Sequence, residues 1–175
     1  SSGGGRRLER ERRSDTRGVM SYLLGIDIGG TRIKCLACSF EGEPIETLER
    51  ATEDLDVRDL EEGPPPFARR VLEMVEEIAE RSGKAASIGL CAPGLADEAG
   101  RRIVHMPGRI RGIEGFDWSR YAGCDVSVLN DAHAALLGEV WRGAARGLRH
   151  VVLLTLGTGV GGAIYLDGRR LRGAI

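Results

Sequence analysis

The first group of residues able to do chemistry is an aspartate followed by two glycines and a threonine. Asp27 ends an apolar run, Gly29, Gly30 and Thr31 follow it, and Lys34 comes three residues later. Glycines let a backbone turn tightly and bring N–H groups close to a phosphate, to which a threonine hydroxyl adds a donor. A carboxylate suits a magnesium ion or its water shell. The pattern predicts a phosphate-binding hairpin with Asp27 near magnesium, and the alternative is an ordinary Gly-Gly turn without a ligand.

A second glycine-rich loop repeats this logic between two apolar strands near the end of the chain. Its residues are Gly157, Thr158, Gly159 and Gly161. It lacks the Gly-Lys-Ser/Thr ending and the following helix of a Walker loop, and a strand follows it where a dinucleotide-binding fingerprint would have a helix. Two such hairpins predict a nucleotide held between two lobes. The alternative is again a turn that binds nothing.

An Asn-Asp pair lies between the two glycine loops, at the end of a third apolar run. Open α/β sheets place ligand-binding groups at the carboxyl ends of their strands, where Asn130 and Asp131 are expected. Phosphoryl transfer needs positioning, charge neutralisation and a carboxylate that accepts the hydroxyl proton. Asp131 can be that base, or it can simply cap a helix beginning at Ala132.

The elements that must position these residues follow from hydrophobic spacing. Apolar runs predict three consecutive strands over 22–52, a strand at 86–91, another at 125–129, and a final hairpin that begins near 150. The Gly-Pro-Pro-Pro breaker precedes a helix whose apolar residues recur at helical spacing, at Phe67, Val71, Met74, Val75 and Ile78. Gly83 is its stop signal. A second helix is predicted from Asp131 to about Trp141, and 101–118 is expected to be irregular.

This order predicts an α/β fold with a mixed five-stranded sheet covered by helices, as in the ribonuclease-H-like half of actin-type ATPases. The predicted domains are a disordered tail over 1–20, an N-terminal lobe over 21–147, and an incomplete C-terminal lobe over 148–175 that begins with its first hairpin. With no helix expected to cover it, that hairpin cannot form an independent core. The tail is expected to be disordered because it is rich in Gly, Ser and Arg. The natural start is expected at Met20, because that residue directly precedes the first apolar run. The alternative for the tail is a basic nucleic-acid arm.

The charge and composition of the chain limit its possible binding partners and its location in the cell. The chain carries 25 basic and 26 acidic side chains, which leaves no global field to attract nucleic acid or an anionic membrane. Its longest apolar runs are too short to cross a bilayer and its N-terminus lacks a signal peptide, so a cytoplasmic location is expected.

Cysteines and histidines offer a second kind of chemistry. Cys35 and Cys38 form a CxxC pair that suggests metal or redox chemistry, but a separation of three in a strand sends the side chains to opposite faces. Buried, reduced thiols are therefore the favoured interpretation. His105, His133 and His150 stand at unrelated places and are expected to be surface or core residues, not metal ligands.

Four motifs together resemble the ROK family, which includes bacterial glucokinases. They read GIDIGGTRIK, CAPGLAD, LNDAHAALLGE and LTLGTGVGGAI, in the family's order and spacing, and the similarity extends from Leu23 onward. The resemblance implies that the first and last motifs hold the phosphates of ATP with Mg²⁺, and that Pro93 and Gly94 line the sugar site. It implies that Asn130 and Asp131 bind sugar hydroxyls with Asp131 as base, that glucose is the default substrate, and that the full-length protein is a homodimer.

Two departures from the family pattern leave alternatives open. The family places an Asn in the loop where this chain reads HMPGRI over 105–110, so the sugar is not fixed. The family's Gly-Glu-x-Gly-His segment would follow Gly173, so the zinc ligands and most of the adenine pocket are expected to be absent. The alternatives to a hexose kinase are a sugar-responsive transcription regulator, for which only about twenty residues precede the fold, and an inactive truncated kinase fragment.

Overall fold

The computed structural model describes residues 21–52, 63–108, 110–157 and 159–172. The predicted tail 1–20 and Thr158 lie outside these ranges. The larger sheet is mixed and has five strands. They are β1 (Leu23–Ile28), β2 (Arg32–Cys38), β3 (Pro44–Ala51), β4 (Ser87–Ala92) and β7 (Val126–Asn130). Their order across the sheet is β3-β2-β1-β4-β7. The first three strands pair antiparallel, and β4 and β7 join β1 in parallel. The predicted five-stranded mixed sheet is confirmed.

The two faces of the sheet have different side chains because burial alternates along each strand. In β1, Leu24, Ile26 and Ile28 are buried while Gly25 and Asp27 are exposed on the other face. Helix α1 (Pro66–Ser82) covers the buried face. The following residues of α1 are buried: Pro66, Phe67, Ala68, Val71, Met74 and Ile78.

Helix α1 begins and ends where the sequence predicts. Its N-cap is Pro65 and its first residue is Pro66. Proline is favoured at the first helical position because no N–H is needed there. It ends at Gly83, whose N–H donates to the carbonyl of Ala79 at 2.9 Å. The opposite face of the sheet is left to carry the polar residues of the site.

The segment expected to be irregular has structure of its own. Strand β5 (Leu95–Ala96) pairs with β6 (Ile103–His105), and helix α2 (Trp118–Ala122) follows. The expectation is wrong for Ile103–His105, which form β6, whereas no helix or named strand lies among the described residues between His105 and Trp118. Ile103 and Ile113 are fully buried and anchor this segment in the core. The rings of Phe116 and Trp118 pack edge to face with their centroids 4.8 Å apart.

A second, three-stranded sheet follows helix α3 (Asp131–Trp141). It consists of β8 (Val151–Leu156), β9 (Val160–Leu166) and β10 (Arg169–Arg170), in the order β10-β9-β8. The expectation that no helix covers this hairpin is wrong for one of its faces, because α3 packs against β8 and β9 and Ala163 is buried. On the other face Val152 and Leu154 are exposed. The domain boundary between 147 and 148 stays a prediction.

All four cysteines are free thiols. Cys35 and Cys38 are both buried, and the pairing register of β2 with β3 shifts between Ala37 and Cys38, which ends the strict alternation on which the opposite-face argument depends. Burial raises the pKa of Cys35 to about 12. Within the described ranges, no three His, Cys, Asp or Glu side chains are grouped so as to hold a metal ion. None of the helices in those ranges has the length and apolar character to span a membrane.

Candidate active site

The first glycine loop is the turn between β1 and β2. Asp27 and Lys34 are direct cross-strand partners, and both line a groove of about 530 Å³ on the face of the sheet opposite α1. The turn closes where the N–H of Gly29 donates to the carbonyl of Arg32 at 2.9 Å. A Cβ at position 29 would lie 3.0 Å from that oxygen, so a glycine is needed for the turn to close. Asp27 and Lys34 are thus held on one side of a tight hairpin.

The tip of this turn is open. A Cβ at Gly30 would meet nothing within 4 Å, and Thr31 is exposed. Thr52, which follows the end of β3, stabilises the turn with two hydrogen bonds. Its hydroxyl donates to the carbonyl of Gly29 at 2.8 Å, and its N–H donates to the carbonyl of Thr31 at 2.9 Å. The backbone at the tip is therefore fixed and open to a ligand, and phosphate binding needs such a backbone.

The second glycine loop joins β8 to β9. The N–H of Gly157 donates to the carbonyl of Gly159 at 3.0 Å, and a Cβ on either residue would meet nothing within 4 Å. At Gly161, by contrast, a Cβ would lie 2.6 Å from the Thr155 hydroxyl and 4.0 Å from the Cβ of Ala132. Gly161 therefore allows the hairpin to pack closely beside the first turn of α3.

Asn130 joins that first turn to the Pro93-Gly94 turn. It is the N-cap of α3, and its Oδ1 accepts from the N–H groups of Ala132 at 3.0 Å and His133 at 3.2 Å. Its Nδ2 donates to the carbonyl of Gly94 at 2.8 Å. Gly94 has a φ of +103°, and a Cβ there would lie 2.5 Å from the carbonyl oxygen of His105. The two predicted sugar-site motifs are thus connected by one amide side chain.

Asp131 is the first residue of α3 and is not its cap. The alternative interpretation, that Asp131 caps the helix, is wrong because Asn130 does so. Asp131 is exposed, and its Oδ1 accepts from the N–H of Ala132 at 2.8 Å. Its carboxylate lies at the N-terminus of α3, beside the positive end of the helix dipole.

The parallel strands bring Asp27 and Asp131 to one edge of the sheet. Asp27 pairs with Cys91 on β4, and Cys91 pairs with Leu129 on β7, two residues before Asp131. Neighbouring strands lie about 4.8 Å apart and a strand rises about 3.3 Å per residue, so two strand spacings and the two-residue offset of Asp131 separate the two backbones by roughly 12 Å.

Cys91 lies between the two carboxylates and is a site residue that the sequence did not reveal. Its S–H donates to Oδ1 of Asp27 across 3.5 Å. Burial raises the pKa of Cys91 to about 12, and the negative charges of Asp27 and Asp131 add to that effect. The thiol therefore stays protonated and acts as a hydrogen-bond donor to Asp27.

The model of the ROK family matches residues 23–175. This chain belongs to the ROK family. A glucokinase of Thermotoga maritima is 34% identical over 161 residues, covering 86% of this chain and 46% of that protein. A beta-glucoside kinase of Klebsiella pneumoniae is 30% identical over 156 residues, covering 87% and 48%. The chain thus spans about half the length of the curated relatives it matches.

Solved structures agree with this assignment. A ROK family glucokinase from Streptomyces griseus, in complex with glucose and AMPPNP, superposes with a TM-score of 0.72 at 28% identity, covering 88% of this chain and 47% of that one. A ROK family transcriptional regulator superposes with a TM-score of 0.71 at 24% identity, which shows a shared fold alone. The fold is therefore the actin-like fold of ROK sugar kinases.

The carboxylate oxygens of Asp27 are suitable ligands for the magnesium ion that the ROK resemblance implies. Among the described residues, Oδ2 of Asp27 accepts no hydrogen bond, while Oδ1 accepts only the weak S–H bond of Cys91. Magnesium keeps several waters and is bound in proteins through one or two carboxylates together with substrate phosphates. One exposed carboxylate beside an open phosphate loop provides that kind of site.

Proposed function

We propose that this ROK chain serves in the ATP-dependent phosphorylation of a hexose, with glucose as the first candidate and Asp131 as the base. The observation that carries the proposal is the position of Asp131. Asp131, whose carboxylate is exposed, is the first residue of α3. The first turn of this helix is joined to the Pro93-Gly94 turn by the Asn130 side chain, and its Ala132 lies beside Gly161 of the second glycine loop. A base is needed at this place, between an acceptor hydroxyl and a donor phosphate.

The chemistry follows from what each group can offer. The Pro93-Gly94 turn and Asn130 orient the sugar, and Asn130 has one amide hydrogen left after its bond to Gly94. Asp131 accepts the proton of the sugar hydroxyl as that oxygen attacks the γ-phosphorus of ATP, and the bond from that phosphorus to the bridging oxygen of ADP breaks in line.

The phosphates are held at the two glycine loops. On the first loop the phosphate-binding residues are Gly29, Gly30, Thr31 and Lys34, with the N–H of Gly29 kept in the turn and that of Gly30 left for the ligand. On the second loop they are Gly157, Thr158, Gly159 and Gly161. Magnesium beside Asp27 neutralises phosphate charge when bound. These assignments keep the roles that the motifs imply.

The relatives support a sugar substrate without fixing which one. Those named above are glucokinases and a beta-glucoside kinase, and the Streptomyces griseus enzyme holds glucose with AMPPNP, an analogue of ATP. We take glucose first and a β-glucoside second. A cytoplasmic location and a homodimeric full-length form belong to the same proposal.

The experiment is a coupled ADP-release assay with a panel of hexoses, β-glucosides and acetylated hexosamines. It compares the chain with Asp131→Asn and with Asp125→Asn, an exposed aspartate at the opposite end of β7. Sugar-dependent release should fall at least about 100-fold in Asp131→Asn, because general-base catalysis contributes that much, and stay unchanged in Asp125→Asn. Equal activity in Asp131→Asn and the parent chain would overturn the assignment of the base. Nucleotide binding without turnover would favour an inactive fragment instead.

A further inference from the structure

One side-chain contact outside the predicted motifs joins α3 to the last strand. Nη1 of Arg170, on β10, lies 2.9 Å from Nδ1 of His133, in the first turn of α3. Both side chains are half-buried. The backbone of Arg170 pairs with Tyr165 on β9, so the guanidinium is attached to the sheet that carries the second glycine loop.

The chemistry of this pair requires a neutral histidine. A guanidinium can only donate hydrogen bonds, so Nδ1 of His133 must be the unprotonated acceptor and the ring hydrogen must be on Nε2. Burial lowers the pKa of His133, and the positive charge of Arg170 lowers it further, while the Asp131 carboxylate opposes both. The remaining charged neighbour is Arg172, which faces Arg170 and donates to the carbonyl of Glu98 at 3.2 Å.

We propose that His133 and Arg170 are positioning residues, which hold the three-stranded sheet that carries the second glycine loop against the first turn of α3 and release it when His133 is protonated. The consequence for catalysis rests on the proposed kinase function, whereas the contact and its response to pH do not.

The position of the contact explains why it matters to the site. Gly161 already approaches Ala132, and Asn130 fixes the same helix turn to Gly94. Asp131, the Pro93-Gly94 turn and the sheet that carries the second glycine loop are therefore all positioned by the first turn of α3. Of the described groups that fix this sheet to that turn, the His133 imidazole is the one that gains a charge in mildly acidic solution.

The direction of the pH effect follows from proton binding. Because the folded chain lowers the pKa of His133 below its ordinary 6.5, the unfolded chain binds more protons in the interval between the two values. The stabilisation from the neutral contact is therefore fully present above about pH 6.5 and is lost as pH falls through the folded pKa. Both the sheet and the loop should loosen in mildly acidic solution.

The first test follows the imidazole titrations by NMR in the chain and in Arg170→Met, which keeps a long apolar stem and removes the charge. The pKa of His133 should rise in Arg170→Met, and the ring resonances of His105, which lies beside Glu114, serve as the reference. Identical titration of His133 in the two proteins would show that Arg170 does not face it and would overturn the proposal.

The second test measures amide exchange at Leu171, whose N–H donates to the carbonyl of Ile164 at 2.8 Å, with the amides of β1 as control. Losing the contact in His133→Ala should speed exchange at Leu171 about tenfold, since hydrogen bonds to charged groups are among the stronger ones. His133→Gln offers an uncharged acceptor, so it should restore protection and remove the acceleration below pH 6.5. Unchanged exchange in His133→Ala, or an acid response retained in His133→Gln, would contradict the proposal.

Neither measurement needs turnover, so failure of the kinase proposal is recognised separately. If the chain phosphorylates a sugar, His133→Ala should raise the KM for ATP more than it lowers kcat, because the loop is displaced while Asp131 is kept. A fall in kcat alone would show that His133 acts on the base and not on the loop.

Discussion

Asn130 is the residue whose removal should reveal most about how the site is built. Asn130→Ala removes the cap of α3 and the bond to the Gly94 carbonyl together. Loss of an N-cap costs about 1 kcal/mol, and loss of an ordinary hydrogen bond about as much again. The free energy of unfolding should therefore fall by about 2 kcal/mol, which raises the ratio of unfolded to folded chain roughly 30-fold.

Two further variants separate the two contributions. Asn130→Ser keeps a capping oxygen but is too short to reach Gly94, so it should lose only about 1 kcal/mol. Asp117→Ala is the matched control, because Asp117 caps α2 by accepting from the N–H of Arg120 at 3.0 Å and lies outside the site. It should also lose about 1 kcal/mol.

Urea denaturation followed by circular dichroism measures all four proteins under one set of conditions. The expected order of stability is the parent chain, then Asn130→Ser together with Asp117→Ala, then Asn130→Ala. If Asn130→Ser is as stable as the parent, or Asn130→Ala no less stable than Asp117→Ala, the bond to Gly94 contributes nothing. The claim that Asn130 holds the Pro93-Gly94 turn in place would then be refuted.

Two other predictions concern neighbouring positions. Gly94→Ala should lose about 2–4 kcal/mol of unfolding free energy, because its positive φ and the His105 carbonyl leave no room for a Cβ, whereas Gly89→Ala, with nothing within 4 Å, should lose less than about 1 kcal/mol. Equal losses in urea denaturation would contradict this. The chain should also lose stability as pH rises from about 9 towards 12, because the folded chain keeps the Cys91 proton that the unfolded chain releases. Urea midpoints measured across that range should fall less steeply in Cys91→Ala, and an unchanged slope would show that this thiol is not responsible.

The sequence predicted the elements well because their signals are local. The apolar spacing from Phe67 to Ile78 identified α1, and Gly83 marked its end, since a helix is decided by residues three and four apart. The strands of the sheet and their number were also predicted, because each strand is a local apolar run. By contrast, the position of Ile103 and Ile113 in the core could not be predicted, because the segment around them has no regular period and is held by distant contacts.

The candidate site was predicted as a set of motifs but not as an arrangement. Cys91 stands in the CAPG motif, yet nothing local indicates that its strand lies between those of Asp27 and Asp131. The order of parallel strands depends on crossovers, which a sequence pattern does not encode residue by residue. For the same reason the pair formed by His133 and Arg170, 37 residues apart, has no local signal.

The glycines show most clearly what a motif leaves unresolved. Gly29 and Gly161 are favoured by the packing of their own hairpins, because a Cβ would press against the Arg32 carbonyl or the Thr155 hydroxyl. Gly30, Gly157 and Gly159 have open space where a Cβ would be, so packing gives no reason for them. A backbone that a ligand must approach closely does give a reason. The two loops therefore each combine glycines that shape the turn with glycines whose open surroundings let a ligand approach the backbone, and only the second kind is evidence for phosphate.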